Sequence, residues 1–144
     1  MHRYALISIA ALALAGCQTT ISKDELASIN FGPKPTRWQE AIRDYLEPRI
    51  PDPKTAIVTF RTEPQQMLQK ETPVRGRQWG WATCVWIDEN HPRGHRGTYP
   101  MTFFFRDDKI LTINGGPDDA NVVGAQYARE QCEKLGSPFN PKAP

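Results

Sequence analysis

The chain has 144 residues, with 18 Lys plus Arg against 16 Asp plus Glu. That near-balance gives no electrostatic case for binding nucleic acid, and the length suits one domain with one core. Thirteen prolines, mostly at segment edges, favour short elements, and no internal repeat or low-complexity block is present.

The N-terminus has the parts of an export signal. His2 and Arg3 form a short positive head, and Tyr4 to Ala15 is apolar except for Ser8. The run is too short for a spanning helix, which takes about 20 apolar residues, and fits the apolar region of a signal peptide. It ends in Leu14-Ala15-Gly16-Cys17, which resembles the lipobox of bacterial lipoproteins. The other readings are an ordinary signal peptide with an incidental cysteine, or a buried helix. The resemblance implies cleavage after residue 16 and acylation of Cys17, a stable membrane anchor because several acyl chains are buried together. Gln18, where an Asp would favour retention in the inner membrane, points to the inner leaflet of the outer membrane, facing the periplasm.

Acylation of Cys17 leaves Cys84 and Cys132 as an even pair in an oxidising compartment, where pairing is expected. Two buried free thiols are the alternative. Residues 17–35 read as a lipidated tether, although Ile21, Leu26, Ile29 and Phe31 leave room for a packed arm with a short helical turn. Residues 36–136 read as the globular domain and 137–144 as a flexible tail.

The first domain helix is expected at Thr36, with Thr36 and Gln39 spaced as a capping box. Trp38, Ala41, Ile42, Tyr45 and Leu46 form its apolar stripe, and Pro48 ends it. Ala56 to Arg61 reads as a strand, and Glu63 to Lys70 as a helical turn or a loop. Gln78 to Asp88 is the strongest strand, with Trp79, Trp81, Thr83, Val85 and Ile87 on one side and Gly80, Ala82, Cys84 and Trp86 on the other. Glu89 to Pro100 reads as a loop. Met101–Arg106 and Lys109–Asn114 form a hairpin across Asp107-Asp108, with Phe105 opposite Ile110 and Phe104 opposite Leu111. Asp118 or Asp119 caps a second helix, which presents Val122, Ala125, Ala128, Cys132 and Leu135 and stops at Gly136.

The expected fold class is therefore α+β: a small antiparallel sheet of three or four strands packed against two helices, with one disulfide. A Cys84–Cys132 bridge would put the second helix on the Gly80–Ala82–Cys84 face, where small residues permit close approach. The face of Trp79, Trp81, Val85 and Ile87 must also be covered. The first helix is one candidate, and a partner protein or a second copy is the other.

Chemistry is sparse. His91 and His95 lie near Asp88 and Glu89, but Pro92 and Gly94 break the regular structure that a metal site needs, so no metal and no cofactor is expected. Gly115-Gly116 before a helix suggests an anion site, which Asp118 and Asp119 oppose by their charge. Arg75, Arg77, Arg93 and Arg96 read as a solvated basic group or as contacts to anionic head groups or glycan-linked phosphates. No catalytic triad context, phosphate loop or zinc-protease motif is present.

Phe31-Gly32-Pro33-Lys34-Pro35-Thr36-Arg37-Trp38 before an amphipathic helix, then Gly80 to Trp86 and a hairpin, loosely resembles small proteobacterial envelope lipoproteins. The architecture is also similar to that of small outer-membrane assembly lipoproteins. The resemblance brings no catalytic residues. It implies a non-enzymatic envelope role by protein contact or structural support, with an envelope protein or a second copy as partner. The other expectation is a ligand-binding or enzymatic module acting on envelope glycan or lipid through the 89–100 loop, with His91, Arg93, His95 and Arg96.

Overall fold

The computed structural model describes residues 21–70, 76–90, 96–117 and 122–140. The signal segment, Cys17, Arg75, Asp118 and Asp119 lie outside the described residues. In chain order the elements are α1 (Lys23–Ser28), α2 (Trp38–Leu46), β1 (Ile57–Phe60), β2 (Gln65–Gln69), β3 (Gln78–Asn90), β4 (Arg96–Arg106), β5 (Lys109–Gly115) and α3 (Val122–Lys134). The fold is α+β, with one antiparallel sheet of five strands in the order β1-β3-β4-β5 and β2 also paired to β3. Among the described residues no helix is long and apolar enough to cross a membrane.

Strand β3 is the axis because both of its faces are apolar. Val85 and Ile87 point into a core with Ile42 and Leu46 of α2 and with Met101, Phe103 and Phe105 of β4. Ala82, Cys84 and Trp86 point the other way, into a smaller core with Phe104, Cys132 and Leu135. The alternation of strand side chains thus sorts one strand between two helices.

β1 and β2 share one edge of β3, separated by an irregular corner. Phe60 pairs with Val85 and Gln65 with Ala82, so residues 61–64 oppose only Thr83 and Cys84. The side chain of Thr62 fills the broken ladder. Its Oγ1 accepts the Cys84 amide at 3.0 Å, while its backbone carbonyl accepts from the Thr83 hydroxyl. Within the segment 63–70, expected as a helical turn or loop, Gln65–Gln69 is instead strand β2. The ladder of β3 supplies its partners, and the Gln65 amide donates to the Leu135 carbonyl at 2.9 Å beyond the end of α3.

α2 presents its expected stripe, with Ile42 and Leu46 buried. The capping box does not form. The helix starts at Trp38 behind an uncapped Arg37, and both the Thr36 amide (2.7 Å) and hydroxyl (3.5 Å) donate to the Asp108 carboxylate on the distant β4–β5 turn. A charged acceptor there outcompetes the local cap.

Asp107 (φ 51°) and Asp108 (φ 60°) make the two-residue turn that suits a tight hairpin. Phe105 pairs with Ile110 as expected, but Phe104 pairs with Thr112, and Leu111 is bulged out and exposed. The extra residue resets the alternation, so that Ile110 and Ile113 both reach the α2 core.

α3 lies across β4 and β5 on the opposite face. Ala125, Ala128 and Cys132 are buried, whereas Val122, expected on the same stripe, is 68% exposed. The stripe begins one turn later. Close approach occurs at Gly115, where an added Cβ would sit 3.0 Å from that of Ala128. The space over Gly80 belongs to Phe104 and the Phe105 carbonyl rather than to the helix. The Thr102 hydroxyl donates to buried Gln131 at 3.0 Å. Gly136 (φ 87°) ends the helix, with its amide bonded to the Glu133 carbonyl and the Ser137 amide to that of Cys132, a Schellman closure. The following segment is packed where a loose tail was expected, since Ser137 is buried and Phe139 meets Trp86 edge-on at 5.2 Å.

Cys84 and Cys132 are bonded, with Cα atoms 5.2 Å apart and 48 residues of separation. Replacing both by Ala is expected to lower unfolding free energy by about 4 kcal/mol in urea titration, from the chain entropy of a loop this long. An unchanged midpoint would mean that the bridge adds nothing to the packed core. Thr62→Val is expected to cost about 1–3 kcal/mol in the same assay, because the Cys84 amide loses its acceptor. Wild-type stability in that variant would show that the corner rearranges freely.

Candidate functional site

The aromatic face proposed from sequence as a partner surface is covered by the chain itself. Val85 and Ile87 are fully buried beneath α2. Trp81 packs at the margin of that core, and its indole N–H donates to the Gly32 carbonyl at 3.1 Å. Trp79 is half-buried, with the Arg106 guanidinium 5.6 Å from its ring centroid. Over Trp81, Val85 and Ile87, helix α2 therefore fills the role that a partner or second copy was proposed to fill.

Residues 29–35 complete the cover. Phe31 and Pro35 are buried, and Lys34 Nζ meets Glu63 Oε2 at 2.6 Å. This stretch, expected as a spacer, is a packed arm. Its apolar residues, spread through Gly and Pro, lack the periodicity that reveals a buried element in sequence.

The far end of the β3–β4 hairpin is the second place of interest. Residues 89, 90 and 96–100, expected in a loop, are strand, with Glu89 opposite Gly97 and Asn90 opposite Arg96. His91, Arg93 and His95, and with them the proposed ligand-loop grouping, lie outside the described residues. What the hairpin end does hold is a buried polar pair. Glu89 and Tyr99 are each more than nine-tenths buried, and the Tyr99 hydroxyl bonds to the Glu89 carboxylate. Burial first, then the Glu89 charge and this hydrogen bond, push the phenol well above its ordinary value. Glu89 Oε2 has no hydrogen-bond partner. The pair was accessible to sequence reasoning, because Glu89 continues the alternation of Val85 and Ile87, but its charge suggested a loop.

A shallow cleft of about 300 Å³ opens where α2 ends, between Leu46 and Ile50 on one side and Ala56 and Val58 on the other, with Arg43 and Glu47 at its rim. Arg43 lies over the Phe60 ring at 4.9 Å. Another group missed in sequence surrounds Trp86, where the Arg61 guanidinium stacks at 4.0 Å and reaches Ser137 Oγ at 3.3 Å. It ties the 61–64 corner to the segment after α3. Among the described residues no group of three or more His, Cys, Asp or Glu is placed to hold a metal ion.

Tyr99→Phe is expected to cost about 1.5–3 kcal/mol at neutral pH, the range for a hydrogen bond to a charged group. Because the folded phenol titrates above the unfolded one, wild-type stability attributable to this group is full below pH 10.0 and falls as pH rises beyond it. Urea midpoints across that alkaline range should fall more steeply for wild type than for Tyr99→Phe. Parallel profiles would contradict the assignment.

Comparison with protein-family models, with curated proteins and with solved structures finds no match to this chain.

Proposed function

We propose that this is an exported, lipid-anchored protein of the cell envelope, with a non-enzymatic structural or protein-contact role on the periplasmic side of the outer membrane. The buried bridge between Cys84 and Cys132 carries this reading. A stable disulfide in the core of a small domain suits an oxidising compartment. It also uses two of the three cysteines, leaving Cys17 for the acylation that the Leu14-Ala15-Gly16-Cys17 sequence suggests. The described side chains favour structure over catalysis. The buried Glu89–Tyr99 pair and the stacked Arg61 and Trp86 all join one element of the fold to another.

Contact with another protein would fall on residues the fold leaves open. Val122 and Val123, at the start of α3, are 68% and 79% exposed, adjacent and apolar.

Metabolic labelling with palmitate tests the anchor. Label is expected on the wild-type protein in the membrane fraction and not on Cys17→Ala. Equal labelling of both would overturn the reading. The same cells supply a second readout, thiol alkylation before reduction. Cys84 and Cys132 should be blocked, and free thiols at both would place the protein in a reducing compartment.

A further inference from the structure

Helix α1 is the least supported element of the fold. It has six residues and none of them is buried. A helix this short is marginal in water without tertiary packing. Its own end is well made, with Ser22 Oγ accepting the Glu25 amide at 3.1 Å. It meets the sheet through Glu25, 3.5 Å from Arg77. Leu26 remains 48% exposed. Among the described residues none buries this helix.

The position of α1 suggests what does. Arg77 stands just before β3, at the end of the sheet where β2 finishes and β4 turns into β5. The arm that follows α1 is fastened to that same end by the Thr36 amide bond to Asp108. Cys17 is five positions before the Ser22 cap. Five residues, fully extended, span at most about 17 Å. An acyl-bearing Cys17 backbone lies at the headgroup level, so α1 begins within that distance of the membrane. Strand β3 then runs 13 residues, about 40 Å, to the other end of the sheet.

Resting on the proposed acylation of Cys17, we infer that α1 and the adjoining end of the sheet lie on the bilayer surface. Leu26 enters the interface, and the β3–β4 hairpin end is carried away from the membrane. The contact is apolar and positional. Lys23 is offset by Asp24 and Glu25 on the same helix, so anionic lipid gains no net attraction.

Hydrogen exchange on the acylated protein in phosphatidylethanolamine vesicles, with and without phosphatidylglycerol, tests this against the unacylated Cys17→Ala form. Amides in 23–28 and 105–110 should exchange about tenfold more slowly on vesicles, the response of a locally unstable segment given a partner. Those in 57–60 and 96–100 should not change. Leu26→Asp should restore fast exchange in 23–28 while flotation and thermal stability stay as in wild type. A floating protein with unchanged exchange at α1 would overturn the inference and leave the anchor intact. Slowing that requires phosphatidylglycerol would overturn the apolar contact. Failure to float would overturn the anchor reading and this inference with it.

Discussion

The Cys84–Cys132 bridge joins the middle of the central strand to the last turn of the last helix, and the rest of the architecture is arranged around that joint. It fixes which face of β3 receives α3. The other face, with Val85 and Ile87, is then left to α2. The two elements that meet at the bridge are each held a second time nearby. Thr62 replaces a ladder carbonyl at the Cys84 amide, and Arg61, turned by the same corner, stacks on Trp86 and reaches the segment beyond α3. A domain of this size has marginal stability, so one such staple accounts for a large share of it.

The glycines mark where backbone must pass close to backbone. An alanine Cβ at Gly115 would lie 2.3 Å from the Pro100 carbonyl, in a residue whose φ of 102° already disfavours a side chain. α3 rests against this strand end, so the seat of the helix depends on a position with no side chain. Polar satisfaction is less complete. The Gln69 side chain is buried without a hydrogen-bond partner, as is the Trp86 indole nitrogen. Unpaired groups of this kind cost stability that a small core must offset.

Local signals in the sequence were reliable guides to the fold. The alternation through β3, the stripe of α2, the Asp-Asp turn and Gly136 each express a single element's geometry, and each appears in the structure. Elements decided by distant partners were hidden. Thr36 looks like a cap until Asp108, 72 residues away, takes its hydrogen bonds. Gln65-Gln66-Met67-Leu68-Gln69 lacks strand-like composition and is a strand because β3 offers it a ladder. Leu111 is bulged because two isoleucines of opposite parity must reach the same core. The aromatic face of β3 looked open for a related reason. Its cover comes from α2 and from an arm whose Phe31 gives little hint of burial in a Gly- and Pro-rich stretch. The candidate ligand residues at positions 91, 93 and 95 lie outside the described residues, and the flanking residues 89, 90 and 96–100 are strand rather than open loop.

Packing of the arm changes the proposed geometry at the membrane. With residues 29–35 folded onto the sheet, the stretch between Cys17 and the packed arm shortens to residues 18–28. The proposed anchor and the disulfide are both consistent with one premise, export to an oxidising compartment. Intact-mass measurement of the protein extracted from membranes, before and after reduction with alkylation, tests that premise most directly. The expected result is a chain beginning at Cys17 that carries acyl groups and gains two alkyl groups only after reduction. An unprocessed, unacylated chain beginning at Met1, alkylated at its cysteines without reduction, would contradict it.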